Sequence, residues 1–245
     1  MGSSVYIGLA VTSHNDGTLS TCTFSNVSVG SGGLSSNFES DTVGSNASGW
    51  TVASGTWSVY QGTTKTYRTT GTGLTTAGDT GWGDVTAQAD VYPESTTGGA
   101  AMLFRVQNSN KFYQMELKTS GGVKKLAIWK NNSGSWSQVA EWNYTWTNNT
   151  WYTLKIVTSG GSLTAFVNGT QVGTATDSTW TTGGIGLRTD TMAAQFDNVK
   201  FVPEPATLAL FGLGVLIIVA AAGGELSILR SARADRSATR STEFP

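Results

Sequence analysis

The acidic residues of this 245-residue chain are the first candidates for catalysis. Two carboxylates about 5 to 5.5 Å apart can act as nucleophile and general acid in glycoside hydrolysis with retention of configuration. Asp90 and Glu94 would share one face of a strand, but Pro93 interrupts that strand. The other carboxylates considered are Asp84, Glu116 and Glu141. We therefore expect solvated surface carboxylates and no enzymatic activity.

Cysteine and histidine chemistry is restricted by the composition. The chain has one cysteine, Cys22, and one histidine, His14. An intrachain disulfide, a cysteine-based metal site, a histidine-cluster zinc site and a Ser-His-Asp triad in the central region are therefore excluded. The net charge of -1 leaves no basic field outside the C-terminal tail, so we expect no nucleic acid partner.

A third set of residues combines an aromatic ring with planar hydrogen-bonding groups. Proteins bind sugars with such sets, because an aromatic face stacks on a pyranose while arginine, amide and carboxylate groups bond its hydroxyls. Alternation with apolar residues along the predicted strands places the set on the face opposite the core. The candidate glycan-binding residues are Arg105, Gln114, Glu116, Trp129 and Arg188. The structural alternative is a cross-strand pair between Arg105 and Glu116.

The segments that carry these residues are predicted to be β-strands. Apolar and polar residues alternate from Phe38 to Phe201, with turn clusters between the runs. Asn168-Gly169 tolerates positive φ and predicts a tight hairpin. No segment before Ala206 has the periodicity and caps of a helix. The central region is therefore predicted to be an all-β two-sheet sandwich, with a jelly roll as the expected topology.

The order of short motifs in this region resembles the concanavalin A-like, laminin G-like superfamily of lectin and glucanase folds. The motifs are Phe38-Glu39, Gly49-Trp50, Gly55-Thr56-Trp57, Leu103-Phe104-Arg105-Val106, Phe112-Tyr113, Thr150-Trp151-Tyr152, Phe166-Val167-Asn168-Gly169, Gly184-Ile185-Gly186-Leu187-Arg188 and Phe196-Asp197-Asn198-Val199. The resemblance implies a concanavalin A-like two-sheet jelly roll, a fold that serves glycan-binding modules, glycosidases and adhesive domains alike. The Glu-x-Asp-x-x-Glu motif of the family 16 glucanases does not occur in this chain.

The resemblance also implies a candidate calcium site at Glu39 and Asp197. These residues lie on the first and last strands, which are neighbours in the resembled fold, and some related modules bind a structural Ca²⁺ there. Calcium takes about six to eight oxygen ligands, whereas only two carboxylates are identified here. We therefore expect no cofactor, with calcium at this position as the alternative.

The nine tryptophans of the chain fall into two groups. Trp50, Trp57 and Trp151 belong to motifs of the resembled superfamily that are typical of its core, where burial stabilises the fold. The others of interest lie in polar stretches and are better placed to contact a ligand. These are Trp136, Trp142, Trp146 and Trp180.

The C-terminal region has the features of a membrane-spanning segment. Pro203-Glu204-Pro205 precedes an uncharged run from Ala206 to Gly224. As a helix, this run would be about 28 Å long, close to the hydrocarbon thickness of a bilayer. Residues 203–224 are therefore predicted to form the Pro-Glu-Pro motif and a transmembrane helix. Residues 225–245 are a basic tail that should stay in the cytoplasm while the body is exported.

This region resembles the PEP-CTERM sorting signal of Gram-negative bacteria, through its Pro-Glu-Pro motif, apolar helix and basic end. The resemblance implies sorting by an exosortase-type enzyme and removal of the tail. The sequence departs from the family pattern in two ways. Glu225 lies at the membrane edge, and the arginines of the tail are widely spaced rather than clustered.

The start of the chain resembles the end of its central region. The matching segments are Ile7-Gly8-Leu9 with Phe24-Ser25-Asn26-Val27-Ser28-Val29, and Ile185-Gly186-Leu187 with Phe196-Asp197-Asn198-Val199-Lys200-Phe201. A self-match of this kind indicates tandem units. Residues 1–30 are therefore predicted to be the closing hairpin of a truncated preceding repeat, whose start and signal peptide are missing from this chain. Residues 31–37 are predicted to be a linker, and residues 38–202 the sandwich.

These observations lead to a functional hypothesis. We expect an exported cell-surface or matrix protein, anchored in the membrane until it is processed, whose β-sandwich binds extracellular polysaccharide. The first alternative is a ligand-free structural or adhesive surface domain. A glycoside hydrolase or lyase is the least favoured alternative, because the sequence has no paired carboxylates.

Overall fold

The computed structural model describes residues 33–203. All of them belong to the first of the two units into which the chain divides, Met1–Pro205. The predicted hairpin at 1–30, the helix after Pro205 and the basic tail lie outside the described residues. Within 33–203, no helix is long and apolar enough to cross a membrane.

The described residues form fifteen strands and no helix. In chain order they are β1 (Leu34–Ser36), β2 (Thr51–Ser54), β3 (Trp57–Gln61), β4 (Lys65–Thr69), β5 (Gly73–Ala77), β6 (Val85–Pro93), β7 (Gly99–Asn108), β8 (Lys111–Ser120), β9 (Val123–Asn132), β10 (Ser135–Asn143), β11 (Tyr152–Ser159), β12 (Ser162–Val167), β13 (Thr170–Thr176), β14 (Gly184–Asp190) and β15 (Ala194–Pro203).

The strands form two antiparallel sheets. One sheet has the order β13-β12-β11-β6-β15-β4-β3, with β1 paired to β15. The other, which we call the site sheet, has the order β10-β9-β8-β7-β14-β5-β2. The prediction of an all-β two-sheet sandwich is confirmed.

The core fills the space between the sheets, as the alternating pattern predicts. In β6, Val85, Ala87, Ala89 and Val91 are fully buried, while the residues between them are partly exposed. The site sheet contributes inward residues from several strands, among them Met102, Tyr113, Met115, Ile128 and Leu187. The predicted hairpin is also present, because Asn168 and Gly169 have φ values of 51° and 79° between β12 and β13.

Two sequence predictions about this region are wrong. Leu34–Ser36 lies inside the predicted linker, but it pairs with Val199–Phe201 as a strand. Trp151, predicted to be core, is 41% exposed, whereas Trp146 in its polar stretch is fully buried. The indole N–H of Trp146 donates to the Lys118 carbonyl at 3.2 Å, so this tryptophan fixes a loop to the site sheet.

The outward face of the site sheet carries a second apolar cluster. Its members are Leu74, Ala101, Leu103, Val106 and Phe112. Trp136 packs edge-on against Phe112, with ring centroids 5.7 Å apart. This face is therefore covered by its own side chains over part of its area, and the polar residues described next lie beside that apolar part.

Candidate functional site

The outward face of the site sheet holds a depression around Glu116. On the neighbouring strands, Glu116 lies opposite Ala101 and Ala127. Because alanine side chains are short, they leave space on both sides of the carboxyl. The resulting concavity has a volume of about 230 Å³. It is lined by Gln114, Glu116, Lys118, Trp129, Trp136, Arg188 and Asp190.

A chain of hydrogen bonds runs across the floor of this concavity. Arg188 on β14 donates from Nη1 to Oε1 of Gln114 at 3.3 Å. Gln114 in turn donates from Nε2 to Oε2 of Glu116 at 3.1 Å. Both residues of β8 are buried, Gln114 with 2% and Glu116 with 5% of its surface exposed. The amide and carboxyl groups are therefore held in fixed orientations.

Burial changes the proton affinity of Glu116. Loss of hydration raises the pKa of this carboxyl to about 7, although the charges of Arg188 and Lys118 oppose the shift. Gly99 makes this position available, because a Cβ there would lie 1.9 Å from Oε1 of Glu116. The expectation that all the carboxylates are solvated is therefore wrong for Glu116, which is buried and has a raised pKa.

Two cations of the site lie over its aromatic rings. Nζ of Lys118 is 4.5 Å from the Trp129 ring centroid, and Cζ of Arg188 is 4.9 Å from that of Trp136. Trp136 is 41% exposed and keeps open surface for a ligand. The indole N–H of Trp129 is buried and has no hydrogen-bond partner among the described residues.

The structure brings together four of the five predicted glycan-binding residues. Gln114, Glu116, Trp129 and Arg188 all line the concavity, as alternation along β8, β9 and β14 predicts. Arg105 is placed elsewhere. It is fully buried and donates to the carbonyls of Trp180 and Gly160, at 2.9 and 2.6 Å.

Arg105 also forms an ion pair, but not with the predicted partner. Its Nη2 is 3.1 Å from Oδ1 of Asp84, whereas Glu116 is paired in register with Ala101. Loss of hydration lowers the pKa of the guanidinium, and the Asp84 charge partly restores it. This arginine therefore connects the site sheet to loops flanking the other sheet and has a structural role.

A β-bulge in β7 is the reason for the different position of Arg105. Val106 pairs with Gly184 and Phe104 with Ile185, so Arg105 has no partner on β14. Its φ is 50°, and the strand reverses its alternation at this point. Val106 consequently belongs to the outward apolar cluster, whereas strict alternation from Phe104 would place it in the core.

Three residues of the concavity are absent from the predicted set. Lys118 continues the outward series of Gln114 and Glu116 on β8, and Asp190 follows Arg188 at the same two-residue spacing. Trp136 was predicted, with three other tryptophans of polar stretches, to be well placed for a ligand, and it lies on β10 rather than in a loop. The period-two signal was sufficient to find Lys118 and Asp190.

The candidate calcium residues lie apart from this concavity. Burial raises the pKa of Asp197 to about 6, with additional contributions from the charges of Asp90 and Glu39. Glu39 accepts a hydrogen bond from the backbone N–H of Lys65 at 3.0 Å. Within 33–203, no group of three or more His, Cys, Asp or Glu residues is arranged to hold a metal ion. Calcium at Glu39 and Asp197 stays a prediction.

Solved structures with a similar fold include several carbohydrate-active proteins. The carbohydrate-binding module CBM66 from Bacillus subtilis has a TM-score of 0.55 at 24% identity, over 63% of this chain and 95% of that one. A β-glucanase from Bacillus licheniformis has a TM-score of 0.54 at 13% identity, over 71% of this chain and 99% of that one. The GH43 protein BlXynB from Bacillus licheniformis has a TM-score of 0.55 at 15% identity, over 69% of this chain and 39% of that one. At these identities, the similarity establishes the fold alone.

A search of curated proteins found no match to this chain. Comparison with models of protein families, in contrast, identifies two families in the chain. Residues 201–223 match the PEP-CTERM protein-sorting motif, which confirms that prediction and indicates an exported, membrane-associated protein. Residues 36–202 match the 3-keto-alpha-glucoside-1,2-lyase-like domain, which is of the concanavalin A-like jelly-roll type. The chain therefore belongs to the family of 3-keto-alpha-glucoside-1,2-lyase-like domains.

Proposed function

We propose that this chain is an exported surface or matrix protein whose β-sandwich binds extracellular glycan at the concavity around Glu116. The proposal rests on one observation. Gln114, Glu116, Trp129 and Arg188 converge with the exposed Trp136 in one depression. A volume of about 230 Å³ is below the roughly 300–1,000 Å³ of drug-sized pockets, which suits one sugar unit of a longer chain.

The similarity to known proteins supports this function. A carbohydrate-binding module and a β-glucanase share the fold, and their names place glycans on this type of sandwich. The sorting motif at 201–223 supports delivery to the cell surface, where an exosortase-type enzyme would process the tail. We further propose that the apolar run after Pro205 anchors the chain in the membrane before processing.

A glycan array with the full-length chain tests the binding function. Trp136→Ala should weaken binding to a responsive glycan by about 1 to 2 kcal/mol, the contribution of one stacking face. Trp151→Ala is the matched control, because both tryptophans are 41% exposed and only Trp136 lines the concavity. Equal effects of the two substitutions, or no bound glycan on a broad array with and without Ca²⁺, would favour the structural or adhesive alternative.

A second function is favoured by the proton affinity of Glu116. A lyase acting across positions 1 and 2 of a 3-keto-glucoside must remove the C2 proton, which the adjacent ketone acidifies. Glu116, with a pKa of about 7, could accept it. The C2–H electron pair forms C1=C2 as the C1–O bond breaks, and the leaving oxygen takes a proton from water and departs as the alcohol. Ultraviolet absorbance of the conjugated enone would detect turnover, and Glu116→Gln should abolish it. No absorbance change would leave binding as the function.

A further inference from the structure

Lys118 and Arg188, the two cations of the concavity, lack the close carboxylate partners that several other cations of the described residues have. The shortest contact of Arg188 with a carboxylate is 3.9 Å, from Nη2 to Asp190, whose side chain is 53% exposed. Lys118 belongs to none of the salt bridges within 33–203. Three ion pairs elsewhere in the described residues have N–O distances of only 2.6 to 2.8 Å. They are Arg68–Glu94, Lys125–Glu141 and Lys130–Asp177.

The position of these two cations is fixed nonetheless. Contacts with Trp129 and Trp136 hold the ammonium of Lys118 and the guanidinium of Arg188 at the walls of the depression. An aromatic ring does not neutralise a cation, so both groups keep their capacity to bond an anion. Asp190 at the exposed rim offsets only part of this positive charge.

We propose that the site selects a glycan that carries an anionic group, a carboxylate or a sulfate, and that Lys118 and Arg188 receive that group. This inference rests on the proposed glycan-binding function and names the ligand class of the same site. A neutral glycan would add no negative charge to that of Asp190 and the partly ionised Glu116, whereas an anionic group would pair with both cations directly.

Glu116 makes this selectivity dependent on pH. The charged and polar groups that face its carboxyl are Gln114 and Lys118 on its own strand, and Arg188 and Asp190 on β14. The neighbours on β7 and β9 are Ala101 and Ala127, which carry no charge. A bound anion disfavours the ionised carboxyl, so binding takes up a proton, and affinity falls as pH rises through the pKa of about 7.

The first experiment compares matched acidic and neutral glycans on an array with the full-length chain. It contains polyuronates with their carboxyl-reduced counterparts, and sulfated galactans with their desulfated counterparts. Bound glycans should be the acidic members of their pairs, and the two series distinguish carboxylate from sulfate recognition. Binding to both members of a pair alike would overturn the inference and leave glycan binding intact. The absence of any binding would overturn both.

The second experiment measures the dissociation constant of the bound acidic glycan by calorimetry. Lys118→Gln should weaken binding at least fivefold, and the loss should shrink at high salt. Lys155→Gln is the matched control, because Nζ of Lys155 lies 4.2 Å from the Phe166 ring on the other sheet. Equal losses for the two variants would refute a specific role for Lys118.

The pH dependence provides an independent readout. If only the protonated form of Glu116 binds, affinity should be up to about tenfold weaker at pH 8 than at pH 6. Glu116→Gln should reduce this ratio to about one, because the side chain no longer titrates. A ratio that is the same in both proteins would show that Glu116 does not face the bound anion.

Discussion

Replacement of Glu116 by glutamine should make the protein more stable at alkaline pH and leave it nearly unchanged at acidic pH. The folded state holds the carboxyl with a pKa of about 7, against an ordinary value of 4.5. Between these two values, the folded chain binds more protons than the unfolded chain, so stability falls as pH rises. Glutamine has the same shape and no such titration, and it can still accept the hydrogen bond from Gln114.

The magnitude follows from the size of the shift. The folded-state pKa of about 7 exceeds the ordinary value of 4.5 by about 2.5, which corresponds to about 3.5 kcal/mol of folding free energy at about 1.4 kcal/mol for each pKa unit. Relaxation of the site around the ionised form would reduce this value, so we expect about 2 to 3 kcal/mol. The penalty should be small near pH 4.5 and complete above pH 7.

Urea unfolding of both proteins between pH 4.5 and pH 8 measures the effect. The difference in unfolding free energy isolates Glu116, because other titrating groups, including Asp197, contribute equally to both curves. Glu141→Gln is a suitable control, since this carboxyl lies on the same sheet in an ion pair with Lys125. A difference between wild type and Glu116→Gln that stays constant with pH would refute the burial argument.

Three further predictions concern other parts of the chain. Gly99→Ala should displace the Glu116 carboxyl, because its Cβ would lie 1.9 Å from Oε1, and NMR titration should show the pKa of Glu116 returning towards 4.5. Arg105→Met should lower stability by about 2 to 4 kcal/mol in urea, without a comparable change in glycan affinity, because the fully buried guanidinium loses its hydrogen bonds to two carbonyls and its ion pair with the partly exposed Asp84. Residues 203–240, fused to an exported reporter, should retain the reporter in the membrane fraction. Leu213→Asp together with Ile217→Asp should abolish this retention, because each charge costs about 2.5 to 3.5 kcal/mol at the centre of a spanning helix. Retention unaffected by the aspartates would contradict a spanning helix.

Alternation explains why most of the site could be predicted from sequence. A strand with one face in the core must direct every second residue to the other face. Tyr113, Met115 and Ile128 point inward, and Gln114, Glu116 and Trp129, which alternate with them along β8 and β9, therefore point outward. Antiparallel pairing of neighbouring strands then brought these side chains together.

The errors arise where local geometry breaks the period. Nothing in Leu103-Phe104-Arg105-Val106 indicates the bulge that reverses the alternation at Arg105, because the extra residue becomes visible only when the strand is paired with β14. Trp146 and Trp151 were misplaced for a related reason. Their burial depends on how loops fold over the sheet ends, and residue type alone does not determine this.

The absence of side chains is as important to this site as their presence. Gly99, Ala101 and Ala127 surround Glu116, and larger residues at these positions would fill the depression with apolar packing, as Leu103 and Phe112 do on the same face. A face with only a structural role gains stability from such filling. The outward face of the site sheet instead keeps a buried carboxyl, and ionisation of this carboxyl opposes folding once the pH is above about 4.5. A cost of this kind, placed beside two cations and an exposed tryptophan, favours a face arranged for a ligand over a face arranged for packing.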